Sequence, residues 1–97
     1  MNKVSITSLA KSDILNIKEY IASSNTVGAN YFVESLISVF EMLAEFPYVG
    51  VKKAGIKNQN IQIYTIRKKY NIIYRVKDGD IEILRVLNRY QNLFAVL

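Results

Sequence analysis

Four arginines in the second half of the sequence are the residues best suited to bind an anion. Arg67, Arg75, Arg85 and Arg89 lie among three short apolar runs between residues 61 and 89. A guanidinium group is always charged and holds carboxylate or phosphate through two parallel hydrogen bonds. The sequence has no histidine and no cysteine, so the commonest general bases, nucleophiles and metal ligands are missing. We therefore predict a surface that binds an anionic partner.

Positive charge is concentrated in the same half of the chain. Residues 1–50 carry three lysines against five acids, a balance of −2, whereas residues 51–97 carry ten Lys or Arg against three acids, a balance of +7. Such asymmetry attracts RNA, DNA or an acidic protein. The alternative interpretation is a solvated basic face without a partner.

The length predicts a single domain over residues 1–97. The absence of cysteine fits a reducing compartment, so we expect the protein in the cytoplasm. No continuous apolar stretch approaches the roughly 20 residues that span a bilayer, so we expect no membrane contact. No glycine-rich phosphate loop is present, and the carboxylates do not follow a calcium-loop pattern. We accordingly expect neither a metal nor another cofactor.

Changes in hydrophobic period predict six elements. A strand over residues 3–7 precedes a helix that Thr7 or Ser8 caps and that ends near residues 23–25. A second helix starts after Asn25 or Thr26 and stops before Pro47. A mobile basic loop is expected over residues 48–60, followed by strands over 61–67, 70–77 and 81–87. The order predicts an α+β fold, with a helical hairpin packed on one face of a small, mainly antiparallel sheet.

Residue alternation assigns faces to the three later strands. Asp78-Gly79 between two apolar runs predicts a tight hairpin. We expect one face of the middle strand to lie against the helices: Tyr70, Ile72, Tyr74 and Val76. In the last strand, alternation places Ile81, Ile83, Arg85 and Leu87 on one face. With this alternation Arg67, Arg75 and Arg85 gather on the side of the sheet away from the helices. The tyrosines of these strands, Tyr64, Tyr70 and Tyr74, are predicted to form core rather than to stack bases.

Four motifs in this order resemble the RelE/ParE superfamily of bacterial type II toxins over nearly the whole chain. They are Ala10-x-x-Asp13-Ile14-x-x-Ile17-x-x-Tyr20-Ile21, Phe46-Pro47-x-x-Gly50, Tyr70-x-Ile72-Ile73-Tyr74-Arg75-Val76 and Ile81-Glu82-Ile83-Leu84-Arg85-Val86-Leu87. The resemblance implies a toxin that a co-encoded antitoxin neutralises by wrapping its helices and sheet, with a toxin-antitoxin hetero-oligomer as the assembly.

One branch of the superfamily resembles RelE, a ribosome-dependent mRNA endonuclease with basic residues on the concave face of its sheet. This sequence has Asn71 at the middle-strand position where that branch has an arginine, and Ile63 and Thr65 where it tends to have lysines. Arg89 and Tyr90 do fall at the expected C-terminal positions. A ribonuclease reading would make Arg67, Arg89 and Tyr90 catalytic, with the ribosome and mRNA as partners.

The other branch resembles ParE, whose members act on DNA gyrase and are not known as nucleases. Its closing segment usually reads Leu-His-x-x-x-Asp-Leu, and here Asn88 and Asn92 replace the histidine and the aspartate. A hydrogen-bonding role survives these replacements, whereas an ionisable role does not. We predict a ParE-like toxin that inhibits DNA gyrase by binding, and a third hypothesis is a non-toxic module that retains antitoxin binding.

Residues are assigned to these roles by the resemblance together with the charge pattern. The residues predicted to bind the target are Arg67, Lys68, Lys69, Arg75, Arg85, Asn88, Arg89 and Tyr90. The residues predicted to bind the antitoxin are Ile14, Ile17, Ile21, Leu93 and Phe94.

Overall fold

The computed structural model describes residues 2–52 and 60–91. The elements are β1 (Val4–Ile6), α1 (Ser8–Ala22), α2 (Thr26–Glu45), β2 (Ile61–Ile66), β3 (Tyr70–Lys77) and β4 (Asp80–Asn88). This order confirms the predicted α+β architecture, and β3 has the predicted bounds. The loop predicted over residues 48–60 lies largely outside the described residues.

Side chains at the helix ends explain where the helices begin and stop. The Thr7 hydroxyl accepts a hydrogen bond from the backbone N–H of Ala10 at 3.1 Å, and the Asn25 side chain accepts one from Gly28 at 2.9 Å. Each bond satisfies an N–H that has no partner within the first turn of a helix. Helix α2 ends at Glu45, two residues before Pro47, as predicted.

The four strands form one sheet in the order β1-β4-β3-β2. β1 runs parallel to β4, and the other two pairs are antiparallel. A parallel pair needs a long crossover connection, and here the chain between β1 and β4 includes both helices and the other two strands. Asp78 and Gly79 have φ angles of 53° and 83°, which a two-residue hairpin turn requires. The predicted Asp-Gly hairpin is confirmed.

A β-bulge in β4 changes the face on which its side chains lie. Ile73 pairs with Arg85 but Tyr74 pairs with Ile83, so Leu84 has no partner in β3. Before the bulge, Ile81 and Ile83 pack in the core with the helices; after it, Leu87 packs on the opposite face. The prediction that Ile81, Ile83, Arg85 and Leu87 share one face is therefore wrong, because one extra residue reverses the alternation.

The main core lies between the helices and one face of the sheet, here called the helix face. From β3 it takes Ile72, Tyr74 and Val76, as predicted, with Tyr70 and Tyr64 half-buried against it. Helix α2 contributes Phe32, Leu36, Phe40 and Leu43 to this core. Ala29 and Ala44 of the same helix are also buried. Helix α1 has one buried residue, Ala10, so it lies at the edge of this core. A smaller apolar cluster of Ile63, Ile73 and Leu87 lies on the other face, here called the far face.

Helix α2 is long and apolar enough to cross a membrane by length and composition alone. Core helices meet the same criterion, and Leu36, Phe40 and Leu43 of α2 are buried against the sheet. The buried residues of this helix therefore have an explanation within the fold, whereas Val27 and Ile37 of the same helix are exposed.

An ion pair fastens α1 to β4 at the bulge. Arg85 Nε and Nη2 donate to the two carboxylate oxygens of Asp13 at 2.7 and 2.8 Å, and the Val86 N–H donates to Asp13 Oδ2 at 3.1 Å. The Thr7 hydroxyl donates to the Leu84 carbonyl at 2.9 Å. β1 ends at Ile6, so β4 has no neighbouring strand on this side, and Asp13 of α1 and its N-cap Thr7 supply partners for the β4 backbone instead.

The Tyr74 hydroxyl fixes the segment that follows α2. It donates to the Pro47 carbonyl and accepts from the Gly50 N–H, both at 2.9 Å, and lies 3.3 Å from Gln62 Oε1. A Cβ at residue 50 would collide with this hydroxyl, so the position requires glycine. Burial raises the pKa of Tyr74 above 10.0, while the Gly50 hydrogen bond opposes the rise.

We expect Asp13→Ala to destabilise the fold by about 2–3 kcal/mol, because it leaves a largely buried guanidinium and the Val86 N–H without their acceptor. The side chains of Arg85 and Asp13 are only 18% and 13% exposed. Glu82→Ala is the matched control, because it breaks the Arg75–Glu82 pair, whose side chains are 41% and 40% exposed. Its expected cost is under about 1 kcal/mol. Urea unfolding measures both, and equal losses would contradict the role given to Asp13.

We expect Tyr74→Phe to cost about 1–3 kcal/mol at neutral pH, because Pro47 and Gly50 lose their shared partner. The raised pKa means that the folded state favours the neutral phenol. Stability from this group is therefore complete below the unfolded-state pKa and is lost as pH rises towards the folded-state value. Urea unfolding at about pH 8 and about pH 11 should show a smaller alkaline loss in Tyr74→Phe than in the unchanged chain. Tyr48→Phe, at an exposed tyrosine, serves as control and should change neither value.

Candidate functional site

The turn between β2 and β3 presents three consecutive basic residues. Arg67 and Lys68 both have positive φ angles, 53° and 57°, and the Lys69 N–H donates to the Ile66 carbonyl at 2.9 Å. A residue other than glycine is strained at such φ angles, by about 1–2 kcal/mol. The turn therefore keeps two cationic side chains where glycine would be more stable.

The end of β4 joins this turn and adds a fourth cation. The Arg89 N–H donates to the Lys69 carbonyl at 2.9 Å, and Arg89 Nη1 lies 3.5 Å from the Lys68 carbonyl. These bonds bring two segments about twenty residues apart in sequence to one end of the sheet. We call this group the cationic end: Arg67, Lys68, Lys69 and Arg89.

Tyrosine rings accompany three of the four cations. The Arg67 guanidinium carbon lies 4.3 Å from the centroid of the Tyr31 ring, on α2. Lys69 Nζ lies 5.8 Å from the Tyr70 centroid, and the Arg89 guanidinium carbon lies 4.8 Å from the Tyr90 centroid. Such contacts orient a cation without neutralising its charge.

The cationic end has no carboxylate partner in the part of the chain that the structure describes. The two ion pairs among the described residues involve the other two arginines: Arg75 pairs with Glu82, and Arg85 pairs with Asp13. Hydrogen bonding to Asp13 raises the pKa of Arg85, which stays charged. Arg67 lies over Tyr31 of α2, and Arg85 pairs with Asp13 of α1. The prediction that Arg67, Arg75 and Arg85 gather on the far face is therefore wrong. The structure instead brings Arg67 together with Lys68, Lys69 and Arg89.

The far face is neutral around Asn71, the position at which the RelE-like branch has an arginine. Asn71 Oδ1 accepts a hydrogen bond from the Thr65 hydroxyl at 2.8 Å, and Asn71 pairs across the sheet with Thr65 and Leu87. Beside them lies the apolar cluster of Ile63, Ile73 and Leu87. Arg75 lies on this face nearer the opposite end, paired with Glu82. A phosphate at the middle of this face would meet no cation among the described residues.

Asn88 organises the chain that follows β4. Its side-chain oxygen accepts from the Tyr90 N–H at 3.0 Å, and its own N–H donates to Gln91 Oε1 at 2.9 Å. Arg89 Nη2 donates to the Tyr90 hydroxyl at 2.6 Å. An asparagine can therefore hold the turn that presents Arg89 and Tyr90, without an ionisable group.

A cavity of about 350 Å³ opens beside the cationic end, on the helix side of the sheet. Besides Lys69, Tyr70 and residues 88–90, its walls include Asn16, Ile17 and Tyr20 of α1. Sequence reasoning did not assign Asn16 or Tyr20 to a site. The available signal was their spacing: residues 13, 16 and 20 share one face of a helix, and Asp13 fixes that face to β4.

The residues predicted to bind an antitoxin have two different outcomes. Ile14, Ile17 and Ile21 are half-buried and pack against the main core. Leu93 and Phe94 lie outside the described residues. Within residues 2–52 and 60–91, no cluster of three or more acidic side chains could hold a metal ion.

Comparison with known proteins identifies the family. A family model described as the ParE toxin of type II toxin-antitoxin system, parDE, matches residues 4–93. A solved structure of the chromosomal ParDE TA system from P. aeruginosa is 20% identical, with a TM-score of 0.60 over 91% of this chain and 96% of that chain. The RelBE2 toxin-antitoxin complex from Mycobacterium tuberculosis is 19% identical, with a TM-score of 0.65 over 91% and 98%. A sequence search of curated proteins finds no match.

The fold is thus that of the RelE/ParE superfamily, since both structural neighbours share it at low identity. The match over residues 4–93 shows more: the chain belongs to the ParE toxin family of type II toxin-antitoxin systems.

We expect Lys68→Gly to stabilise the protein by about 1 kcal/mol, because glycine adopts a φ of 57° without strain. Lys77→Gly is the control, since it removes the same charge from an exposed position within β3 and should cost about 0.5–1 kcal/mol. Thermal or urea unfolding distinguishes the two. A loss of stability in Lys68→Gly would show that the turn is not strained.

Proposed function

We propose that this ParE-family toxin inhibits DNA gyrase by binding it through the cationic end, and that a cognate antitoxin neutralises it. Membership of the ParE toxin family supports the toxin class and is consistent with gyrase as the target. The carrying observation is the position of the charge: four cations without carboxylate partners lie at one end of the sheet, among the described residues.

The electrostatics favour binding over cutting. Unpaired cations at an exposed edge accelerate encounter with an anionic surface and help select the partner. RNA cleavage needs in addition a group that takes the 2′-hydroxyl proton and cations around the scissile phosphate. The middle of the far face holds Asn71, Thr65 and apolar side chains, which supply neither.

Two features support an antitoxin partner. The family is defined by toxin-antitoxin systems, and the two solved neighbours were determined as such systems. The predicted contact residues on α1, Ile14, Ile17 and Ile21, are half-buried, so a partner would reach only their outer edges. Exposed neighbours on the same helix, including Leu9 and Leu15, would add apolar area to that contact.

The endonuclease hypothesis has one favourable observation. Arg89 and Tyr90 are hydrogen bonded at 2.6 Å, so a cation and a phenol lie together at the C-terminal positions that a RelE-like enzyme uses. In that case mRNA in a translating extract would be cut near the ribosome, and Arg89→Ala or Tyr90→Phe would abolish the cuts. Intact mRNA at an inhibitory toxin concentration would eliminate this alternative.

Two double variants test the binding proposal at equal net charge. Arg67→Ala/Arg89→Ala removes two cations that have no carboxylate partner among the described residues, whereas Arg75→Ala/Lys77→Ala removes two cations from the other end of the sheet. In a gyrase supercoiling assay we expect the first to raise the half-inhibitory concentration by about tenfold or more, and the second by less than about twofold.

Three outcomes would contradict the proposal or restrict it. Equal weakening in both variants would make the effect one of net charge alone. No inhibition by the unchanged toxin at micromolar concentration would exclude gyrase as its target. Normal growth of bacteria that express the chain alone would leave the non-toxic, antitoxin-binding module as the remaining hypothesis.

A further inference from the structure

The cavity beside the cationic end has features that neither the fold nor gyrase binding requires. It lies on the helix side of the sheet, so it is separate from the far face on which Asn71 lies. Ile17 and half-buried Tyr70 form its apolar part. Its volume of about 350 Å³ falls within the range of small-ligand sites.

Two tyrosines at this cavity expose their rings almost fully. Tyr20 and Tyr90 are each 81% exposed, so neither ring contributes much buried area to the fold. Arg89 lies over the Tyr90 ring and also donates a hydrogen bond to its hydroxyl, so the guanidinium and the ring lie together at the cavity. Exposed, positioned aromatic rings provide surfaces on which a planar ligand can stack.

The polar groups of the cavity suit the edge of a base and a phosphate. The Asn16 side chain makes no hydrogen bond within residues 2–52 and 60–91, and Asn88 uses only its side-chain oxygen, leaving the NH₂ group available. A carboxamide can both donate to and accept from the edge of a nucleobase. Lys69 and Arg89 lie on the same wall without a carboxylate partner in the described chain.

We propose that this cavity binds an unstacked base of single-stranded nucleic acid, with Tyr20 and Tyr90 stacking on the base, Asn16 and Asn88 contacting its edge, and Lys69 and Arg89 holding an adjacent phosphate. An acidic peptide would use the two cations but would leave the exposed rings without a planar partner. Single strands fit better than a duplex, because bases inside a duplex already stack on each other. The inference shares Lys69 and Arg89 with the proposed function and otherwise goes beyond it.

Fluorescence anisotropy with a labelled twelve-nucleotide DNA tests the site in the full chain. We expect the single strand to bind more tightly than the same sequence as a duplex. Tyr20→Ala should weaken binding by about tenfold, whereas Tyr20→Phe should stay within about twofold, since stacking needs the ring and not the hydroxyl. Tyr48→Ala is the matched control at an exposed tyrosine outside the cavity and should have no effect.

Three further arms identify the ligand. An RNA strand of the same sequence tests whether the sugar matters, and a mononucleotide tests whether one base and its phosphate suffice; saturable binding of either supports the site if Tyr20→Ala weakens it. Equal affinity for duplex and single strand, or unchanged affinity in Tyr20→Ala, would overturn the proposal. An acidic peptide that binds as tightly as the DNA and is equally sensitive to Tyr20→Ala would overturn it in favour of a protein ligand.

The two proposals can fail separately. Gyrase inhibition by a chain that binds no single strand would eliminate the base site and leave the proposed function intact. Single-strand binding that depends on Tyr20, without gyrase inhibition, would support the base site and exclude gyrase as the target.

Discussion

The paired carboxylate of Asp13 is the constraint on which the arrangement of this toxin depends most. It holds the Arg85 guanidinium and the Val86 N–H together where β1 has ended and the bulge interrupts β4. This contact fixes the position of α1 relative to β4. It therefore places Asn16 and Tyr20 beside the end of that strand. Arg85, which the sequence predicts to bind the target, is therefore engaged in an ion pair within the fold.

The parts of the fold that the sequence predicts correctly depend mainly on interactions between neighbouring residues. Thr7, Pro47 and Asp78-Gly79 act through nearby backbone atoms, so the ends of both helices and the last hairpin follow from short stretches of sequence. The bulge at Leu84 has no such local signal, because it depends on how β4 is paired on both sides. One unpaired residue then reversed the face assigned to Leu87. The predicted grouping of the arginines failed for another reason, because Arg85 pairs with Asp13 and Arg67 lies over Tyr31.

The site could be predicted in its chemistry but only partly in its geometry. Net positive charge near residues 67–69 and 89 was evident from composition, and the structure brings those residues together through the Lys69 carbonyl. Which cations stay unpaired depended on contacts distant in sequence, such as Asp13 with Arg85. Asn16 and Tyr20 could not be assigned until α1 was fixed against β4. The result is a group of cations at the end of the sheet without carboxylate partners among the described residues, while the middle of the far face is neutral.

Amide hydrogen exchange, measured on the chain alone and on its complex with gyrase, tests the central claim most directly. The Lys69 and Arg89 N–H groups are hydrogen bonded at the exposed end of the sheet, so exchange there reports on what covers that end. Binding through the cationic end predicts slower exchange over residues 66–69 and 88–91, with the turn at residues 78–79 unchanged. Slower exchange at residues 78–79, with no change at residues 66–69 and 88–91, would contradict it.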